Sequence, residues 1–217
     1  MKVTLLGATG FVGKVLSRHL LDAGHELKAL VRNPTKLGHL SDEVTCVEGD
    51  FFKNEDIDSV IEDADVVMST IGPSKTEMSS DFAANCVTAT RHLVNALQEC
   101  GPRRLVLMAG AAMPIAGERL NPLRSMMAFA IKTMARSSWE GKVTEMQVAF
   151  GTALDVTVVR PPMITKSAHG SFHAHETRLG GLSVGVNHVA EFMVNLLATS
   201  EWTGKAPVIW TRRTWFG

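Results

Sequence analysis

Residues 7–13 read Gly-Ala-Thr-Gly-Phe-Val-Gly, with glycines spaced G-x-x-G-x-x-G. Glycine in such a run acts through its backbone. One glycine permits a sharp bend at a strand end, the next lets the main chain approach an anion, and the third lets a helix pack closely on a strand. The flanks suit that use, because the apolar run Val3-Thr4-Leu5-Leu6 precedes the turn and a helically periodic stretch from Val12 to Ala23 follows it. A helix start offers unpaired N–H groups and a positive dipole end to a phosphate. The chemistry expected is the cradling of a pyrophosphate, and so of a dinucleotide. A tight strand-to-helix turn without a ligand is the plainer reading.

Arg32 is the second candidate. An NAD site places Asp or Glu at the end of the second strand to accept from the ribose 2′-hydroxyl, whereas a 2′-phosphate requires a cation. Here Val31 and Arg32 occupy that end, with Asn33 and Lys36 behind them. The pattern points to NADPH. Arg160 precedes Pro161-Pro162, and because a guanidinium does not give up its proton, it is read as a strand-end ion pair, not a catalytic acid. His169, His173 and His175 crowd one loop, but no cysteine or carboxylate motif of zinc-site spacing accompanies them. They are read as a polar loop near the substrate mouth, and no metal is expected.

The elements that must hold these residues alternate. After Gly24, the expected helix stop, Glu26 to Val31 reads as a strand and Asn33-Pro34 as a break. A short strand is expected over Val44–Val47 before Glu48-Gly49-Asp50, a helix over Asp56–Glu62, and a buried strand over Val66–Ser69 closed by Thr70-Ile71-Gly72-Pro73. A long helix from Asp81 to Cys100, with Phe82, Val87, Leu93, Val94 and Leu97 on its apolar face and stopped by Gly101-Pro102, leads to the strand Arg104–Met108 and the loop Ala109–Ala112. From Pro114 to Trp139 the pattern loosens into a Met-rich stretch, readable as a lid or apolar substrate wall, or as a packed helix. Gly141–Phe150 and Val189–Thr199 suggest helices; Val156–Val159, Gly181–Val186 and Ala206–Trp210 suggest strands. Strand-helix alternation implies an α/β, Rossmann-type, doubly wound and mainly parallel sheet. One domain over residues 1–217 is expected, with a substrate side contributed by about 110–140 and 160–188.

Lys and Arg number 22, as do Asp and Glu, so the dense positive field that nucleic acid or an anionic membrane rewards is absent. Neither partner is expected. Cys46, Cys86 and Cys100 show no metal or redox spacing and suit a reducing compartment. The chain enters a strand at Lys2, which leaves no room for a secretory signal, and the nearly uncharged stretch Leu105–Gly117 is too short and too rich in Gly and Pro to span a bilayer. A cytoplasmic protein is expected.

GATGFVG (7–13), LVRNPTKL (30–37), EGD (48–50), DVVMSTIG (65–72) and VTVVRPPMIT (156–165) resemble the atypical short-chain dehydrogenase/reductases. The likeness is to the small NAD(P)H-binding group that includes flavin reductase/biliverdin reductase B and NmrA-like proteins. VGVNHVAEFMVNLL (184–197) is similar to the segment that closes the sheet in that group. The resemblance implies that Gly7, Thr9, Gly10, Phe11 and Val12 form the pyrophosphate turn, and that Arg32 faces the adenosine ribose. It further implies Asp50 and Phe51 near the adenine, and Thr70, Ile71 and Gly72 over the ribose. Met108 and Ala109 would lie beneath the nicotinamide, and Pro161, Pro162 and Met163 would border it and the substrate. Lys142 falls where members of the group carry His or Lys and is the candidate catalytic residue, with Glu145 or Gln147 as its polar partner.

The chain departs from the wider superfamily in one decisive way. The loop after the fifth strand lacks serine, and the chain contains no tyrosine, so the Ser-Tyr-Lys proton relay is absent. Two functions follow from the resemblance. One is an NADPH-dependent reductase passing hydride to a small, flat acceptor such as a flavin or quinone; the other is a non-catalytic NAD(P)-binding redox sensor. A homodimer or a protein partner is compatible with either.

Overall fold

The computed structural model describes residues 1–73, 79–99, 101, 104–166 and 169–212. Cys100 and Pro102, named above, lie outside that set, as do the tail residues Arg213, Thr214, Trp215 and Phe216. Six strands form one parallel sheet in the order β3-β2-β1-β4-β5-β6. They are β1 (Lys2–Leu6), β2 (Glu26–Val31), β3 (Thr45–Glu48), β4 (Val66–Ser69), β5 (Arg104–Met108) and β6 (Asp155–Val159). The order reverses between β1 and β4, so the chain ends leaving those two strands diverge and open a crevice at the carboxyl edge.

Side-chain alternation along the strands builds two cores. Val3, Leu5, Val66, Met68, Val106 and Val159 face one side, where α1 (Phe11–Asp22) and α6 (Val186–Asn195) bring Leu16, Leu20, Val189 and Met193. Leu6, Val67, Leu105, Leu107, Val156 and Val158 face the other. That side is covered by α2 (Asn54–Ile61), α3 (Ser80–Glu99) and α5 (Arg136–Phe150). Burial on both faces explains why these strands read as near-continuous apolar runs. Each fully enclosed Leu contributes about 1.5–3 kcal/mol. Thr4, the buried polar residue of β1, donates its hydroxyl to Val60 O at 2.9 Å.

Local signals explain the boundaries. Gly24, at φ 78°, follows the last turn of α1, and Asn33 accepts from the Thr35 N–H at the start of the 3-10 turns over Pro34–Asp42. The Met-rich stretch is largely helical: α4 (Pro122–Met134), capped by Asn121, continues almost directly into α5. α5 starts at Arg136, five residues before its expected start, and α6 starts at Val186.

The carboxyl-terminal third departs most from expectation. Two short strands not legible from pattern, β7 (Met163–Thr165) and β8 (Phe172–His175), pair with β9 (Ser183–Gly185) and β10 (Val208–Thr211) in separate two-stranded sheets. β10 runs antiparallel to β8, while residues 205–208 follow β6 through isolated parallel bridges. The segment 184–197 therefore does not close the main sheet; it supplies the end of β9 and then α6, which lies against α1.

Candidate functional site

A cleft of about 230 Å³ opens at the carboxyl ends of β1–β4. Gly7, Thr9 and Gly10 line it after β1, and Leu30, Val31 and Arg32 line it from β2. Gly49, Asp50, Phe51 and Phe52 follow β3; Thr70, Ile71 and Gly72 follow β4; Phe82 of α3 closes the wall. Nine of the residues expected to hold a dinucleotide thus share one cavity: Gly7, Thr9, Gly10, Arg32, Asp50, Phe51, Thr70, Ile71 and Gly72.

The three glycines differ in what they do. Gly7 has φ 86°, and a side chain there would also meet Thr70 Oγ1 at 2.9 Å. Gly13 lies so close to the turn that a Cβ would stand 2.1 Å from Gly7 O. Both are required for the turn to pack at all. Gly10 has ordinary backbone angles, and a Cβ there would meet only Gly7 O, at 3.2 Å, so added bulk would project into the cleft. Gly10 caps α1 without a side-chain hydrogen bond, and the first turn contains no acidic residue. The cradle suits an anion. Phe11 is exposed at the start of α1, whereas the Val12 side chain is buried in the first core, leaving only its backbone for a ligand.

The β3 side of the cleft is more aromatic than the sequence suggested. Phe52 lies between Phe51 and Phe82, with ring centroids 5.7 Å and 5.6 Å away, the second edge-on. Helical spacing sets Phe82 on the apolar stripe of α3, and its place in the cleft depends on how that helix docks. Asp50 Oδ1 accepts from the Phe52 N–H at 3.1 Å, and Asp56 Oδ2 accepts from the Asp50 N–H at 2.8 Å. Arg32 is exposed at the rim.

Met108, Ala109, Pro161, Pro162 and Met163 lie farther along the same sheet edge and do not line this cleft. The loops that carry them are joined, because Ala109 N–H donates to Val159 O and Ala111 N–H to Pro161 O, each at 2.9 Å. Met163 is exposed and begins β7. Lys142 does not line the cleft either. Its Nζ donates to Ile71 O at 3.1 Å and to Glu145 Oε2 at 2.8 Å, which makes Glu145 its partner, while Gln147 is exposed.

Beneath the carboxyl edge sits a charged cluster of which the sequence suggested only one member. Arg160 forms an ion pair, as expected of a strand-end arginine, and its partner is Glu118 at 2.5 Å. Glu118 also accepts from Arg124, which together with Arg160 has no exposed side-chain surface. Arg124 reaches Ala111 O at 2.6 Å and Thr177 O at 2.8 Å; Arg160 reaches Met113 O and Glu176 O at 2.8 Å. Burial alone would raise the Glu118 pKa, but the hydrogen bonds from Arg160 and Arg124 outweigh it and hold the carboxyl below its ordinary range. Burial in turn lowers that of Arg160, with Glu118 opposing.

The histidine loop is otherwise engaged. His173 stacks on Trp210, and His175 Nδ1 accepts from the Thr177 and Arg178 N–H groups at 3.1 and 3.0 Å. Among the described residues no group of three or more His, Cys, Asp or Glu is placed to hold a metal ion. Burial raises the pKa of the half-buried Cys46 thiol, and Cys86 is buried. No helix among the described residues is long and apolar enough to cross a membrane.

The NAD(P)H-binding family matches residues 7–200, beginning at the first glycine of the turn. The chain belongs to this NAD(P)H-binding family. A 126-residue stretch of this NAD(P)H-binding protein is 31% identical to a 3-beta-hydroxysteroid dehydrogenase of Mycolicibacterium neoaurum, over 54% of the chain and 34% of that relative. An 80-residue stretch is 38% identical to an isoflavone reductase homolog of Solanum tuberosum, over 33% of the chain and 26% of the relative. The chain thus matches about a third or less of these curated relatives' length. The fold of the NAD(P)H-binding protein is shared with an oxidoreductase of Lactococcus lactis at TM-score 0.80 and 18% identity, covering 99% of this chain and 92% of that one. It is also shared with a short-chain dehydrogenase/reductase of Veillonella parvula, solved in complex with NADP, at TM-score 0.79 and 18% identity, covering 98% and 95%. These likenesses fit the resemblance to the atypical short-chain dehydrogenase/reductases read from the sequence.

Proposed function

We propose that this protein is an NADPH-dependent reductase of a small, flat electron acceptor such as a flavin or quinone. The observation that carries the cofactor is the placement of Arg32 on the rim of the same cleft as Gly7 and Gly10. A guanidinium matches a 2′-phosphate with paired, charge-assisted hydrogen bonds. The backbone of the turn would hold the pyrophosphate, and Asp50, Phe51, Phe52 and Phe82 would frame the adenine. When bound, the dinucleotide supplies a hydride at the carboxyl edge of the sheet.

The acceptor class follows from what the chain does not offer. Reduction of an isolated ketone builds charge on one oxygen and calls for a positioned donor, and this chain has no tyrosine and no serine in the loop after β5. A conjugated acceptor spreads the charge and takes its proton from water. The substrate side, 110–140 and 160–188, carries apolar side chains open to such a molecule: Met126 and Phe129 on α4, and Met163 at β7. This assignment, and that of Met108, Ala109, Pro161 and Pro162 to the nicotinamide, belong to the proposal. Steady NADPH oxidation with a panel of flavins, quinones and carbonyls tests it; turnover confined to the conjugated acceptors supports it.

The second reading, a non-catalytic NAD(P)-binding redox sensor, is favoured by the engagement of Lys142 with Ile71 and Glu145 away from the cleft. Tight NADPH binding without oxidation by any acceptor in the panel would decide for it. Either activity suits a reducing, NADPH-supplied cytoplasm.

A further inference from the structure

The loop that follows β4 is held both by the glycine turn and by α5. Toward the glycine turn, Thr70 N–H donates to Leu6 O at 2.9 Å and Thr70 Oγ1 to Gly7 O at 3.2 Å. From behind, Lys142 Nζ, 71 residues later, donates to Ile71 O. The lysine is itself held, since Glu145 accepts from it and also accepts from the Thr90 hydroxyl at 3.4 Å. The side chains of Lys142 and Glu145 are only 11% and 9% exposed. Ile71 and Gly72 line the cleft, whereas Lys142 lines a separate small cavity with Pro73, Phe82, Ala83 and Ser138.

An ammonium can only donate, so a lysine set against a carbonyl fixes the direction in which that carbonyl points. In a trans peptide the next N–H points the opposite way. With Ile71 O turned toward Lys142, the Gly72 N–H is turned from it. A proton donor, by contrast, must come within hydrogen-bond reach of the reacting atom, and this ammonium is committed behind the loop.

We propose that Lys142, held by Glu145, is a positioning residue that orients the peptide between Ile71 and Gly72, so that the Gly72 N–H is presented to the dinucleotide. The proposal rests on the reading of the cleft as the NADPH site. Lys142 serves cofactor binding through the backbone and donates no proton to the acceptor.

The test uses NADPH as the probe in two measurements, fluorescence titration for affinity and NMR for the Gly72 amide. Lys142→Met alone would leave Glu145 enclosed and unpaired, which is destabilising, so the working variant is Lys142→Met with Glu145→Gln, which removes both charges and keeps an acceptor for Thr90. Expected are a cooperative thermal melt, an NADPH Kd raised about tenfold by the lost alignment, and a Gly72 amide shift on NADPH addition that is large in the wild type and diminished in the variant. An unchanged Kd in the folded variant overturns the proposal. So does a wild-type Gly72 amide that fails to respond to bound NADPH, an outcome that needs no variant to fold. Absence of NADPH binding by the wild type overturns the reading of the cleft and this proposal with it; normal wild-type binding with an indifferent variant removes this proposal alone.

Discussion

Arg160 Nη1 donates to Glu118 Oε2 at 2.5 Å in a place where the guanidinium has no exposed surface and the carboxylate 3%. Because Glu118 also takes Arg124, one carboxylate serves two enclosed cations, and backbone carbonyls from three separate stretches complete their coordination. The cluster ties the loop after β5, the start of α4, the end of β6 and the segment after β8 into one unit. Removing Glu118 leaves two buried guanidiniums with no countercharge. Glu118→Ala is therefore expected to cost about 3–5 kcal/mol, read as a lowered midpoint in urea unfolding.

The same carboxylate sets a pH dependence. Its folded pKa is depressed from 4.5, so the stability it contributes is fully present above 4.5 and is lost as pH falls through the lower folded value. Wild-type stability should decline through that acid range. Glu118→Gln, which cannot ionise, should be less stable at neutral pH and show a shallower decline; urea midpoints across a pH series check both.

Arg32 sets cofactor choice in the proposed function. NADPH is expected to bind more tightly than NADH by about 30-fold, equivalent to about 2 kcal/mol. Arg32→Glu should reverse the order by repelling the 2′-phosphate and accepting from a 2′-hydroxyl. Calorimetric titration of both dinucleotides into both proteins checks this, and equal wild-type affinities would refute it.

Gly10 and Gly13 should separate binding from folding. Gly10→Val places its side chain in the cleft on backbone that accepts it, so the variant should melt near the wild type and lose NADPH binding. Gly13→Ala brings a Cβ to 2.1 Å from Gly7 O and should lose stability first. A folded Gly10→Val protein that binds normally would show the turn to be purely structural.

The acceptor prediction can be stated as a contrast in rate. Flavins and quinones should be reduced efficiently, and simple aliphatic ketones slower by the 10²- to 10⁴-fold that a general acid typically supplies, an order-of-magnitude expectation. Efficient reduction of aliphatic ketones would contradict the reading.

The succession of the first five strands and the glycine turn were legible along the chain because each depends on signals within a few residues, whereas the grouping of Asp50 and Thr70 with Arg32 came from the family resemblance. Apolar runs, helical spacing and the breakers Gly24 and Asn33-Pro34 act locally, and parallel strands joined by helices bring their carboxyl ends to one edge whatever the details. The parts that escaped depend on partners distant in sequence. β7 and β8 are three and four residues long and exist as strands through pairing with β9 and β10. Glu118 carries no mark of burial in its neighbourhood, and only the meeting of two arginines, one of them 42 residues away, makes it a hub. Phe82 falls on the stripe of α3 that pattern assigns to the core, and docking turns it into the cleft. The resemblance made Lys142 the catalytic candidate, but its surroundings were not legible in the sequence: tertiary packing sets its ammonium against Ile71 O, because an enclosed charge must find acceptors wherever the fold supplies them.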